Sequence, residues 1–144
     1  MPHAALSKTY SHDTQVSDSA STATAMVAGI KSRSRTLGVT KEAAVGNCAS
    51  QEGNGTDSLF ELAERAGLST GIISTARLTH ATPASTYAEA ASRDWEDDAV
   101  LAGAPGGETC KDIAAQMIEG DAGDGLDLAK GGGRRRILTV GMPG

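Results

Sequence analysis

Aromatic residues are scarce in this chain. Its 144 residues include one Phe, one Trp and two Tyr, at Phe60, Trp95, Tyr10 and Tyr87. A hydrophobic core must therefore be built from Ala, Leu, Ile and Val, which bury less area per residue than aromatic side chains do. We expect the chain to be only marginally stable in isolation.

Long apolar runs and clusters of metal ligands are also missing. No stretch is long and apolar enough to cross a membrane, and Met1 is followed by neither a basic segment nor an apolar run, so no signal peptide is predicted. The three histidines, His3, His12 and His80, form no His-x-x-x-His pair, and no carboxylates show metal-ligand spacing. A formal net charge of −5 argues against nucleic acid as a partner.

Short apolar segments alternate between strand and helix patterns. Residues 70–76 are β-branched and apolar, which predicts a strand buried on both faces, and residues 126–129 predict a second core strand. Helices are predicted at 18–31, near 110–120, and from Thr82 to about Ser92. This alternation is typical of an α/β domain with helices on the faces of the sheet, and 144 residues suffice for one domain.

Residues 16–25 combine an acidic residue and a serine with a run of small residues. They read Val-Ser-Asp-Ser-Ala-Ser-Thr-Ala-Thr-Ala. Asp18 or Ser17 can cap a helix whose first turn contains Ser19. Free backbone N–H groups and the positive end of the helix dipole would lie beside the Ser19 hydroxyl, which suits phosphate binding. The alternative is an ordinary N-cap ahead of an Ala-rich buried helix, whose small side chains let it lie close against a sheet.

Three segments resemble the alkaline phosphatase family in order and spacing. Residues 18–25 resemble its nucleophile motif, Asp-Ser-Ala-x-x-x-Thr-Ala, and residues 74–84 resemble its magnesium-loop segment. Residues 92–95, Ser-Arg-Asp-Trp, resemble the segment that carries its phosphate-binding arginine. The resemblance extends over about 2–133, and the chain is identified as a member of this family.

The resemblance implies a hydrolase of phosphate monoesters with a partial three-layer α/β/α sandwich. Ser19 would be the nucleophile that forms a phosphoserine, with one zinc ion on its oxygen and a second zinc on the leaving-group oxygen. Arg93 would clamp two phosphate oxygens; the residues alone favour an arginine that ends a helix and complements its dipole. Asp18 would help to position Arg93, or it is only a helix cap.

The magnesium-loop segment contains two further candidates. Thr82 would be a magnesium ligand, because Mg²⁺ prefers hard oxygen ligands, and it can also cap a helix with Pro83 at the first position. His80 would lie near the magnesium through a water molecule, and an ordinary polar loop histidine is the alternative. Arg77 is expected to be structural.

Two cysteines, Cys48 and Cys110, allow one disulfide. Spacing alone favours two reduced thiols. The contexts of both cysteines resemble those of a disulfide in eukaryotic-type alkaline phosphatases, so the resemblance implies a bridge. It also implies an oxidising compartment, periplasmic or extracellular, for the parent protein.

The family's metal site needs further Asp, Glu and His ligands that this chain lacks. We therefore expect residues 1–144 to be an internal part of a single catalytic domain, inactive alone and homodimeric when complete. Residues 130–136, Lys-Gly-Gly-Gly-Arg-Arg-Arg, lack the ending of a P-loop and aromatic residues for nucleic acid. The family has a structural glycine turn here, whereas residues 134–144 depart from its usual continuation.

A function of another class remains open at this stage. The chain would then be a catalytically inactive α/β fragment, or an anion-binding module that lacks the zinc ligands. Flanking sequence with the missing Asp and His ligands would distinguish the two.

Overall fold

The computed structural model describes residues 3–120 and 126–138. Within them, six helices, two strands and two 3₁₀ turns follow the chain. The helices are α1 (Ser19–Ala28), α2 (Leu59–Arg65), α3 (Ala81–Ala84), α4 (Asp98–Leu101), α5 (Ile113–Glu119) and α6 (Arg134–Ile137). The strands are β1 (Gly71–Arg77) and β2 (Leu128–Gly132), and the 3₁₀ turns are Cys48–Gln51 and Gly107–Thr109. No described helix is both long and apolar enough to span a membrane.

The first helix begins where the sequence predicts. Asp18 is the N-cap, and its carboxylate accepts a hydrogen bond from the backbone N–H of Ser21. The helix ends at Gly29, whose φ of 72° lies in the left-handed region that favours glycine, so it is shorter than the predicted 18–31. Its buried small residue Ala20 packs in one cluster with Ala81 and Ala84, so α1 lies against α3 rather than directly against the sheet.

The sheet pairs β1 and β2 in parallel, with Gly71 opposite Leu128 and Ile73 opposite Lys130. It is more exposed than predicted. Ile72 is buried, but Ile73 is 76% exposed, and every residue of β2 is exposed. The predicted core strand at 126–129 is therefore wrong in position and burial, because no described element covers these faces.

The core lies away from the sheet and is rich in alanine, as the scarcity of aromatic residues predicts. Leu37, Val39 and Ile113 are the largest fully buried apolar side chains. Leu37 and Ile113 pack in one cluster with Trp95, Leu101 and a set of alanines, namely Ala20, Ala81, Ala84, Ala88, Ala90 and Ala91. Because an alanine side chain is a single methyl group, these backbones approach one another closely.

The helix predicted from Thr82 to about Ser92 is wrong. Helix α3 ends at Ala84, and residues 90–93 run beside residues 35–37. Leu37 and Ala90 exchange two backbone hydrogen bonds of 3.0 and 2.8 Å, and the N–H of Arg93 donates to the carbonyl of Arg35 at 2.8 Å. These backbone groups are bound to another segment, so they cannot continue a helix.

The glycines at 131–133 are structural, as expected, but the predicted three-residue turn is wrong: Gly131 and Gly132 belong to β2, and the turn lies at Gly133. A Cβ atom on Gly133 would lie 2.9 Å from Cβ of Arg77, and one on Gly131 would lie 2.7 Å from the Leu78 side chain. Gly133 also has a φ of 97°. The turn therefore brings β2 close to the end of β1, and α6 follows it; residues 139–144 of the predicted divergent tail lie outside the described residues.

The implied disulfide between Cys48 and Cys110 is confirmed. It joins the two 3₁₀ turns, with Cα atoms 5.9 Å apart, and Cys48 is almost fully buried. Next to it, the side-chain oxygen of Gln51 accepts a hydrogen bond of 2.7 Å from the N–H of Ala91. The bridge thus supports the segment that leads to Arg93.

Reduction of this disulfide should destabilise the chain strongly. The cysteines are 62 residues apart in sequence, and the chain-entropy model gives about 4 kcal/mol for a loop of that size. Urea unfolding with and without a reductant measures the change. A Cys48→Ala/Cys110→Ala double variant is the control and should not respond to the reductant; an equal midpoint for the native chain in both conditions would contradict the prediction.

Candidate functional site

Ser19 is the first residue of α1 and follows the N-cap directly. Its side chain is half-buried, and its hydroxyl forms no hydrogen bond with any described residue. The cap, Asp18, instead binds Ser21, whose backbone N–H and Oγ donate at 3.2 and 2.9 Å. The Ser19 hydroxyl is therefore left available at the positive end of a ten-residue helix.

The Arg93 side chain contacts the N-terminus of α1 from the segment 90–93, which runs beside residues 35–37. One terminal nitrogen donates to Oδ2 of Asp18 at 2.9 Å, and the other lies 3.2 Å from Nε2 of His80. The Arg93 side chain is only 19% exposed. The structure therefore brings Asp18, Arg93 and His80 together, with Ser19 adjacent to the first of them in sequence and Thr82 two residues beyond the last.

Asp18 carries a negative charge at neutral and alkaline pH. Burial alone would raise the pKa of its carboxyl, but hydrogen bonds from the Arg35 amide, the Arg93 guanidinium and Ser21 outweigh burial and lower that pKa to about 2. The carboxylate is therefore a permanent partner for Arg93. A charge-assisted pair of this kind fixes the direction of a guanidinium.

His80 lies on the other side of the guanidinium as a neutral imidazole. Burial lowers its pKa, and the positive charges of Arg93 and Arg77 lower it further. Because a guanidinium can only donate, Nε2 of His80 must accept the contact with Arg93. A neutral histidine adds no second positive charge beside Arg93, whose charge is paired with Asp18.

Thr82 lies in α3 with an exposed side chain, and its hydroxyl bonds to no described residue. The predicted N-cap role of Thr82 is wrong, because the N-cap is His80 and Pro83 is the third helical residue. An exposed hydroxyl oxygen suits a hard cation such as Mg²⁺. Among the described residues, however, no three His, Cys, Asp or Glu side chains are grouped to hold a metal.

Sequence reasoning missed a buried carboxylate behind the site. Glu96 accepts two hydrogen bonds from Arg77, at 2.6 and 2.8 Å, and one from Thr79 at 2.7 Å. Arg136 of α6 lies 3.9 Å from the same carboxylate. The expectation that Arg77 is structural agrees with this pairing, which fixes the chain on both sides of residue 78 just ahead of His80.

Arg35 was also missed. Its backbone N–H donates to Oδ1 of Asp18 at 3.2 Å, and its side chain pairs with Asp94. No sequence signal identifies it, because arginine is not a residue favoured by the left-handed conformation that Arg35 adopts, with a φ of 70°.

The arrangement can bind an anion beside a free hydroxyl. It offers the N-terminus of α1, an oriented guanidinium and the hydroxyl of Ser19 on one side of the structure. A guanidinium fork matches two oxygens of a phosphate or carboxylate. A serine hydroxyl is a poor nucleophile without a base or a metal, and the described residues place no group of metal-binding side chains beside the Ser19 hydroxyl.

Comparison with known proteins shows which family this chain is related to. The model of the alkaline phosphatase family matches residues 1–144. The tissue-nonspecific isozyme of alkaline phosphatase from Homo sapiens is 41% identical over 134 residues, which cover 93% of this chain and 25% of that protein. The isozyme from Felis catus is 40% identical over 137 residues, which cover 95% of this chain and 26% of that protein.

Solved structures agree. A mutant of the TAB5 alkaline phosphatase with magnesium bound superposes with a TM-score of 0.65 and 34% identity over 87% of this chain and 28% of that one. The cold-active alkaline phosphatase of the psychrophile Shewanella sp. superposes with a TM-score of 0.67 and 28% identity, over 91% of this chain and 26% of that one. The chain thus spans about a quarter of the length of the curated relatives it matches. Its helices and parallel sheet are a partial α/β fold of this kind, and the chain belongs to the alkaline phosphatase family.

Proposed function

We propose that this chain supplies the nucleophile and the phosphate-binding arginine of a metal-dependent alkaline phosphatase that hydrolyses phosphate monoesters. The observation that carries the proposal is the contact between Arg93 and Asp18 at 2.9 Å, next to the unbonded hydroxyl of Ser19. Two residues 75 positions apart in sequence meet at the start of a helix. A phosphate placed there would meet a positive charge and a nucleophile together.

In the proposed reaction, Oγ of Ser19 attacks the phosphorus atom in line with the departing alcohol. The proton of the hydroxyl passes to water, the P–O bond to the leaving group breaks, and the departing alkoxide takes a proton from water to become the alcohol. Water then hydrolyses the phosphoserine, which returns the Ser19 hydroxyl and releases free phosphate. Arg93 holds two oxygens of the phosphoryl group and stabilises the charge on them. Asp18 keeps the guanidinium in that direction and, at a pKa of about 2, stays ionised throughout.

The proposed metals would be held only in part by this chain. Thr82 offers one exposed hydroxyl oxygen for magnesium, with His80 near it through water, and Ser19 offers an oxygen to zinc. When bound, such ions act as Lewis acids and lower the pKa of an attached hydroxyl. The described residues hold no group of three metal-binding side chains, and the proposal assigns the remaining ligands to other parts of the complete enzyme.

The same proposal extends to the setting of that longer protein. Residues 1–144 would be part of a single catalytic domain, and the complete enzyme would be a homodimer. The disulfide supports an oxidising location, periplasmic or extracellular, because such bonds persist there. The alternative function, an anion-binding module without turnover, is favoured for the isolated chain by the missing ligand group.

The isolated chain should not hydrolyse phosphate monoesters. The reason is that the described residues group no three metal-binding side chains to hold the two zinc ions. The measurement is an assay of the purified chain, supplied with zinc and magnesium, with a chromogenic phosphate monoester. Binding of inorganic phosphate, followed by ³¹P NMR, should persist weakly and depend on Arg93. Zinc-dependent turnover that disappears in Ser19→Ala would overturn this prediction.

In the full-length protein, Ser19→Ala should abolish turnover. Rapid quenching of the native enzyme with substrate, followed by peptide mass spectrometry, should locate one phosphoryl group on Ser19. Ser17→Ala is the matched control: Ser17 lies two residues before Ser19 and forms no hydrogen bond with any described residue, so this variant should keep both the phosphoryl group on Ser19 and the activity. A phosphoryl group on another residue would contradict the assignment.

Arg93→Ala in the full-length protein should weaken inhibition by inorganic phosphate about 10- to 100-fold, because hydrogen bonds to a charged group contribute about 1.5–3 kcal/mol. Turnover should fall as well. Arg65→Ala is the control: Arg65 lies at the end of α2, is half-exposed, and pairs with Asp57 just ahead of that helix. Unchanged phosphate inhibition and turnover in Arg93→Ala would remove Arg93 from the site.

A further inference from the structure

Arg35 has an unusual backbone conformation for its residue type. Among the described residues it is the one non-glycine residue with a positive φ, at 70°. A Cβ atom makes this conformation unfavourable, and only contacts that depend on it can keep a non-glycine residue there.

The contacts that Arg35 makes are with the two charged residues of the proposed site. Its N–H donates to Oδ1 of Asp18 at 3.2 Å, and its carbonyl accepts from the N–H of Arg93 at 2.8 Å. Asp18 and Arg93 are the residues whose side chains bind each other. A single backbone unit thus contacts both partners of that ion pair.

The turn around Arg35 is held on both sides. The N–H of Ser34 donates to Asp13 at 2.8 Å, and both the N–H and the hydroxyl of Thr36 donate to the carbonyl of Arg33. These anchors fix the residues next to Arg35 independently of the site. The turn therefore presents the N–H and carbonyl of Arg35 from a fixed frame.

The side chain of Arg35 contributes less than its backbone. Its guanidinium pairs with Asp94, but the two side chains are 55% and 56% exposed. Exposed ion pairs stabilise proteins weakly, because water and salt screen them. The backbone hydrogen bonds to Asp18 and Arg93 are therefore the contacts that depend most on the left-handed conformation.

We infer that Arg35 is a positioning residue of the phosphate site, which acts through its left-handed backbone. The inference rests on the proposed function. Its N–H fixes the carboxylate of Asp18 and its carbonyl fixes the main chain of Arg93, so together they set the direction of the Arg93 guanidinium beside Ser19. If residue 35 leaves the left-handed region, its N–H turns away from Asp18 and the guanidinium loses a fixed partner.

Two substitutions in the full-length protein separate backbone from side chain. Arg35→Gly keeps the left-handed conformation without its cost, whereas Arg35→Val opposes it, because a β-branched residue tolerates positive φ worst. Arg35→Gly should keep turnover and phosphate inhibition within about threefold of the native enzyme. Arg35→Val should weaken phosphate inhibition and lower kcat by about tenfold or more. Equal losses in both variants would overturn the inference.

A double-mutant cycle distinguishes positioning from general destabilisation. If Arg35 acts through Arg93, Arg35→Val should cause little further loss of phosphate inhibition in an Arg93→Ala background. Additive losses would contradict the inference. If Arg35→Val does not fold, the same cycle is run with Arg35→Ala, which also disfavours positive φ but is smaller.

The outcome also separates this inference from the proposed function. Phosphate inhibition that is unchanged in Arg93→Ala means that the proposed site is wrong. Inhibition that depends on Arg93 but is the same in Arg35→Gly and Arg35→Val means that only the role of Arg35 is wrong. Asp94→Asn removes the exposed ion pair alone and should change phosphate inhibition less than about threefold.

Discussion

The carboxylate of Asp18 is the contact on which the site depends. It accepts hydrogen bonds from Ser21 within its own helix, from the Arg35 backbone and from the Arg93 side chain. These three donors come from three separate segments of the chain. One half-buried charge therefore caps a helix, fixes a turn and orients a guanidinium, and loss of the charge would leave the Arg93 side chain without its carboxylate partner.

A second carboxylate has the corresponding role on the other side of His80. Glu96 is 7% exposed, accepts hydrogen bonds from Arg77 and Thr79, and lies 3.9 Å from Arg136. Burial alone would raise the pKa of Glu96, but the hydrogen bonds from Arg77 and Thr79 lower it overall. The segment ahead of His80 and Thr82 is thus held by one buried charge, and the segment around Ser19 and Arg93 by another.

The sequence predicted contacts well where a short motif carries its own geometry. The N-cap Asp18, the start of α1 at Ser19 and the Cys48–Cys110 disulfide follow from local patterns or from the family resemblance, and all three are confirmed. The roles of Ser19, Thr82 and Arg93 stay predictions. Helix propensity failed at residues 85–92, because Ala90 pairs with Leu37, a partner 53 residues away that no local pattern reveals.

The contacts between Asp18 and Arg93 are well formed although the two-stranded sheet is largely exposed. Asp18 and Arg93 each lie two residues in sequence from an alanine of the buried core, Ala20 and Ala91, and α1 packs against α3 there. The sheet is exposed, with Ile73 and Leu128 open to solvent, yet neither Asp18 nor Arg93 binds to it. The proposed phosphate contacts therefore depend on α1, α3 and the segments around Arg35 and Arg93, whereas the proposed metal binding needs ligands that the described residues do not bring together.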